Sequence, residues 1–264
     1  MWIDTHCHLD AGEFDADRDA VARTAARAGV ARIVVPAVSA QHFDAAARLA
    51  HRVGGAYALG IHPLFTPGAH EQDLDRLREA VARAMPDPLF VGIGEIGLDY
   101  FVKSLDDTCQ RFFFHEQLRL AREFDLPVIC HVRRSQDQVA GLLRRVGGLR
   151  GIAHAFNGSF QQADAYLAMG FKLGFGGAAT FERALQIRRL ASRLPLESMV
   201  IETDAPDISP AWRYKQRNSP AEIPAIGAVL AGLRDLPVED FAAATTRNAF
   251  DILPRLRLTA DTAS

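Results

Sequence analysis

Two histidines stand two residues apart in "IDTHCHLD", His6 and His8, at the end of a short apolar run that begins at Trp2. In an extended chain residues i and i+2 face the same way, so the two imidazoles point together and Cys7 points away. A His-x-His borne on a strand is a chelating pair. Four more polar residues follow short apolar runs in the same manner: Glu95 in "VGIGEIGLDY", His131 in "PVICHVRR", His154 in "GIAHAFNGS" and Asp204 in "MVIETDAPD". Imidazole and carboxylate donors without thiolate suit Zn, Mn, Mg, Co or Ni better than a structural thiolate zinc site. Six ligands exceed what one catalytic ion uses, so the reading is two divalent metal ions per subunit. His6, His8 and Asp204 go to one ion, His131 and His154 to the other, with Glu95 as the bridge. Two ions ~3.5–4 Å apart lower the pKa of a water between them and clamp attacking and leaving oxygens. Asp204 is placed to take a proton from that water, and hydrolysis is the implied reaction. His62 in "LGIHP" ends another apolar run, where it would touch substrate or support a ligand. His42, His51, His70 and His115 fall in stretches of helical period and read as surface or packing residues.

Such a constellation needs a scaffold that brings strand ends together. Apolar runs rich in Val, Ile and Leu alternate with longer Ala/Arg/Leu segments of helical period. The runs predict strands over 2–5, 32–36, 57–60, 89–94, 127–130, 151–153, 170–174 and 199–201. Helices are predicted over 17–28, 41–51, 71–84, 108–124, 136–145, 220–233 and 238–253. Eight βα units in about 250 residues is the arithmetic of a (β/α)8 TIM barrel, an α/β fold with its site at the C-terminal mouth of the strands. An open doubly wound sheet is the alternative, but no G-x-G-x-x-G follows the first strand. No repeat or linker interrupts the rhythm, so residues 1–264 are expected to form a single domain, with the last ~10 residues a loose tail. Phe112, Phe113 and Phe114 read as packing against the barrel. Glu202, two before Asp204, reads as a buried supporting charge one layer deeper, with Lys172 as its expected partner.

Hydrophobic residues make up 48% of the 264-residue chain and charged residues 23%, which excludes a disordered chain. The 30 Lys and Arg nearly balance the 32 Asp and Glu, so no global field coats nucleic acid, and an anionic substrate must be attracted by a local site. Cys7, Cys109 and Cys130 have no CxxC spacing and read as reduced thiols. With no leader pattern and no apolar stretch of ~20 residues, a cytoplasmic protein with no membrane association is expected.

The segments "DTHCHLD", "GIHP", "GEIGLDY", "LPVICHVRR", "HAFNGS" and "ETDAPD" resemble the TatD family of metal-dependent hydrolases and deoxyribonucleases, within the amidohydrolase superfamily. The resemblance runs from Ile3 to about Leu253, and "ETDAPD" is similar to the YjjV-like branch. It implies a (β/α)8 barrel, a two-metal centre on the six positions above, and phosphodiester hydrolysis with DNA as a substrate. The loop "SPAWRYKQRNSP" offers Arg213, Lys215 and Arg217 interleaved with Trp212 and Tyr214, a pattern that pairs phosphates and stacks a base, or else a solvated basic loop. Arg133, two beyond His131, shares that residue's inward face and reads as a phosphate contact or an ion-pair partner. The competing function is an amide or ester hydrolase or deaminase on the same barrel, including deacylation of an aminoacyl-tRNA ester. Many binuclear members of that class bridge their metals with a carbamylated Lys, whereas position 95 is Glu.

Overall fold

The computed structural model describes residues 1–256. Eight parallel strands, β1 (Trp2–Asp4), β2 (Val30–Pro36), β3 (Ala56–Leu59), β4 (Phe90–Asp99), β5 (Val128–Arg133), β6 (Gly151–Ala153), β7 (Phe171–Phe175) and β8 (Met199–Ile201), pair in chain order. The ring closes where the Thr5 N–H donates to the Ile201 carbonyl at 3.1 Å and the Asp204 N–H to the His6 carbonyl at 2.8 Å. The result is a (β/α)8 barrel. Its helices are α1 (Arg18–Arg27), α2 (Phe43–Val53), α3 (Gln72–Ala84), α4 (Asp107–Glu123), α5 (Gln136–Val146), α6 (Phe160–Leu167), α7 (Leu185–Arg193), α8 (Ile223–Gly232) and α9 (Val238–Ile252).

Parallel strands covered on both faces must be apolar on both, which is why their sequences read as continuous Val/Ile/Leu runs. Ile3, Val34, Val91, Ile129, Ile152 and Val200 fill the barrel, and Ile252, Leu253 and Leu256 seal its lower end. A second layer of Phe14, Phe90, Phe114, Phe171 and Phe241 lies between barrel and helices. Of the Phe112 to Phe114 run, Phe113 and Phe114 pack inward as expected, while Phe112 is exposed. Fully burying one such ring stabilises the fold by about 2–3 kcal/mol.

All eight expected strands are present, but β4 and β5 run beyond their apolar stretches. Glu95 and His131 therefore lie inside strands and not after them. α6 and α7 were outside the expected helix set: α6 spans only eight residues, Phe-Gln-Gln-Ala-Asp-Ala-Tyr-Leu, too short to show a period. The expected tail lies outside the described residues, apart from the turn Pro254–Leu256. Among the described residues no helix is long and apolar enough to cross a membrane.

Gly97 keeps the site end of β4 against β5. Its φ is +151°, and a Cβ there would overlap the His131 backbone. Gly97→Ala is expected to destabilise the protein by about 2–3 kcal/mol through overpacking and backbone strain. Urea denaturation measures this, and an unchanged midpoint would contradict it.

Candidate metal centre

Backbone interactions set the mouth before any donor group is considered. The buried Asp4 carboxylate accepts from the His6 N–H at 3.3 Å, the Thr203 N–H at 3.0 Å and the Thr203 hydroxyl at 2.6 Å. This joins the segment after β1 to the segment after β8 and carries His6, His8 and Asp204 to one side. Burial pushes Asp4 up to about 8, with the Thr203 hydrogen bonds opposing it. In β4 the register with β5 slips between Ile93 and Ile96, and Glu95 sits in that irregularity. A bulge of this kind re-aims a side chain, here into the barrel. His154 follows β6, and His62 opens the short helical turn Pro63–Gly68 after β3.

The Glu95 carboxylate is the hub. One oxygen lies 3.1 Å from Nε2 of both His6 and His8; the other lies 2.8 Å from His131 Nδ1, 2.9 Å from His154 Nε2 and 3.2 Å from His62 Nε2. Asp204 Oδ1 stands 3.5 Å from His6 Nε2 and 3.7 Å from His8 Nε2. Donor atoms gather in three overlapping groups, each within 4.8 Å: His6 with Glu95 and His154, His6 with His8 and Asp204, and His62 with Glu95 and His131. All six residues read as ligands thus meet at one place, and His62 meets them there.

The donor set fits a divalent cation. Glu95 Oε2, His6 Nδ1 and His154 Nδ1 are buried without a well-formed hydrogen bond among the described residues, and the His6 and His8 Nε2 atoms converge to 3.2 Å. Oxygen and imidazole nitrogen without sulfur is the chemistry of a catalytic divalent site. The electrostatics agree. Burial raises Glu95, but His62, His154 and His6 overcome it and hold the carboxyl well below its usual range. Burial lowers His8 and His154, yet Glu95 dominates: His8 is pushed up to about 9 and His154 well above the usual imidazole range. His62 goes the other way, brought down to about 4 by burial despite Glu95. Asp204 rises to about 6 through burial, with His154 and His8 opposing. The centre is a buried anion that gathers positive charge.

A backbone contact fixes the tautomer of His62. Its Nδ1 accepts the Leu64 N–H at 3.1 Å, so the neutral ring carries its proton on Nε2, the atom facing Glu95.

Sequence reading missed Asp99. It is fully buried at the end of β4; one oxygen accepts the Phe101 and Val102 N–H groups, and the other lies 3.0 Å from His131 Nε2. Burial raises Asp99, but the His131 hydrogen bond brings it down to about 2. A signal existed: Glu95, Gly97 and Asp99 alternate along one strand, so the two carboxylates share a face. Carboxylates that hold the far nitrogen of a metal-binding imidazole are worth 10- to 100-fold in metal affinity or activity. Asp99→Asn should weaken zinc or manganese binding by about that factor in a competitive chelator titration. Affinity equal to that of the parent protein would show that His131 is oriented without it.

The remaining expectations are distributed unevenly. Arg133 lines the mouth cavity of about 1030 Å³, together with Arg134, Phe101, Asp10 and His42. His42 thus reaches the mouth, although its sequence context read as an ordinary helical position. Arg213, Lys215 and Arg217 do not line that cavity. Glu222 holds Arg213, Asp17 holds Arg217 at 2.6 Å, and Lys215 lies 5.4 Å from the Tyr214 ring centre. Two of the loop's three cations are thus paired with acids, while Lys215 rests beside an aromatic ring. The partner expected for Glu202 is corrected. Lys172 reaches the Glu197 carbonyl just before β8, whereas Glu202 lies just past the end of that strand. Glu202 instead accepts the Ala155 N–H and approaches His154 Nδ1 at 3.6 Å.

Comparison with known proteins accords with this geometry. Residues 3–254 match the family described as TatD related DNase. The chain is 39% identical over 253 residues to the uncharacterized metal-dependent hydrolase YjjV of Escherichia coli, covering 95% of this chain and 97% of that one. It is 30% identical over 266 residues to human deoxyribonuclease TATDN3, covering 97% of this chain and 95% of that one. The crystal structure of the E. coli YjjV protein superposes with a TM-score of 0.91 at 38% identity, covering 96% of this chain and 98% of that chain. With its barrel, its histidine and carboxylate mouth and these relatives, the chain belongs to the TatD family of metal-dependent hydrolases.

Proposed function

We propose that the protein is a two-metal phosphodiesterase that cleaves DNA. The observation that carries this is the Glu95 carboxylate, in reach of imidazoles on both sides in a cavity with two guanidinium groups, Arg133 and Arg134, on one wall. His6, His8 and Asp204 would hold one divalent ion and His131 and His154 the other, with Glu95 available to both; Zn, Mn, Mg, Co and Ni all suit such donors. Bound there, the ions supply Lewis-acid polarisation of a phosphoryl oxygen and ease deprotonation of water.

The chain's own residues do the rest. Asp204, partly open to the mouth and raised to about 6 by burial, takes the proton of the attacking water. His62, kept neutral by burial, turns its Nε2–H toward Glu95 and steadies that carboxylate at the edge of the mouth. Arg133 meets a phosphate oxygen. The relative named a deoxyribonuclease supports DNA as the polymer. The guanidinium wall favours an anionic substrate over an amide. Buried or half-buried Cys7, Cys109 and Cys130, all free thiols, accord with a cytoplasmic setting.

The test is turnover of metal-loaded protein on bis-p-nitrophenyl phosphate, single-stranded DNA and N-acyl amino acids. Phosphodiester hydrolysis is the expected result. Turnover of the amides alone would overturn the reading in favour of an amidohydrolase.

A further inference from the structure

Beyond the donors, one wall of the mouth is built from three side chains at the ends of β4 and β5. Phe101 is 45% exposed, with its ring at the cavity wall. Arg133 lies with its guanidinium carbon 3.9 Å from the Phe101 ring centre, and that of Arg134 is 4.8 Å away. Arg134 takes a left-handed φ of +56° directly after β5, which turns consecutive arginines toward the same ring instead of to opposite faces. Two cations are thereby held side by side. Arg133 comes only within 3.9 Å of Asp99, whose oxygen already serves His131, and Arg134 has no acidic partner among the described residues. Uncompensated like charges fixed on one ring are costly unless an anion joins them, and a guanidinium fork matches phosphate oxygens.

The opposite wall has the reverse sign. Asp10, Glu13 and Asp207 line it, and the buried Asp10 Oδ1 has no hydrogen-bond partner among the described residues. The mouth is therefore polar across its width, and its volume of about 1030 Å³ is at the upper limit of ordinary ligand pockets of about 300–1,000 Å³. A long polyanion crossing it would be repelled at the acidic wall. A chain end carrying a phosphate on one side and hydroxyl or base N–H groups on the other suits both walls.

We propose that Arg133, Phe101 and Arg134 form a subsite for a second phosphate, adjacent to the one that is cleaved, so that the substrate enters by an end with its phosphates toward the β4–β5 wall. This rests on the phosphodiesterase reading above. The ring keeps the two forks at a fixed separation, and Arg134 supplies charge that the metal centre does not need.

Calorimetric titration of the metal-loaded protein with thymidine 5′-monophosphate and with thymidine 3′,5′-bisphosphate tests it. The bisphosphate should bind about tenfold more tightly, the size of one charge-assisted contact. Arg134→Ala should reduce that ratio to within about twofold, and Arg134→Lys should retain part of it. Melting curves establish that both variants are folded. A parallel assay compares kcat/KM for dTpdT, with one internal diester, and dTpdTp, which adds a terminal phosphate, and the same preference is expected there. Equal binding of the two nucleotides, or a ratio unaltered in Arg134→Ala, overturns the subsite. If phosphodiesters are hydrolysed without this preference, the subsite alone falls; if none is hydrolysed, the phosphodiesterase reading falls first.

Discussion

Glu95→Gln is expected to lower kcat/KM on bis-p-nitrophenyl phosphate by about 10³-fold, equivalent to ~4 kcal/mol of transition-state stabilisation. Glutamine keeps the shape, so the barrel should still fold. It loses the charge that His6, His8, His62, His131 and His154 all face from a site only 1% exposed. An amide offers one oxygen where the carboxylate offers two, and it cannot draw positive charge from two sides of a buried site. Metal content per chain, measured by plasma mass spectrometry after dialysis, should fall together with turnover. A variant that kept its full metal load and turned over within tenfold of the parent would remove Glu95 from the centre of the mechanism.

The legibility of this site followed from its distance to regular structure. Once the βα alternation defined a mouth, His6, His8, His154 and Asp204 stood out because each directly follows an apolar run. Glu95 and His131 were equally visible as residue types but were set outside strands that in fact contain them. In β4 the glycines at 92, 94 and 97 dilute the apolar pattern, and strand pairing with β5 rather than hydrophobicity carries the element on to Asp99. Asp99 itself is chosen by which imidazole it faces, a relation no local pattern encodes. The loop 212–217 shows the opposite failure. Its cations were plain, but Asp17, which neutralises Arg217, lies 200 residues earlier in the chain and arrives only through barrel closure. Arg134 was hidden for a conformational reason, since strict alternation would turn it away from Arg133, and its positive φ brings it back.

Occupancy of the centre should appear in stability as well as activity. The folded protein presents converging donors, several without hydrogen-bond partners, while the unfolded chain scatters them over residues 6 to 204. An ion that binds the folded state alone adds RT ln(1 + [L]/Kd), or about 4 kcal/mol at a thousandfold excess over Kd. For a chain of this size each kcal/mol moves the melting midpoint by about 2–4 °C, so the expected rise is about 8–16 °C on adding zinc or manganese to chelator-treated protein. Turnover should vanish with the chelator and return with the ion. Replacing His6 and His8 together by asparagine removes two donors that converge on Glu95 Oε2 and Asp204, so most of the thermal rise should disappear while the apo midpoint stays near that of the parent. The apo comparison matters, because it separates loss of metal from loss of fold. Equal midpoints with and without divalent ion in the parent protein would mean that the converging imidazoles are held by Glu95 and protons alone, and both the metal assignment and the hydrolytic reading built on it would have to be abandoned.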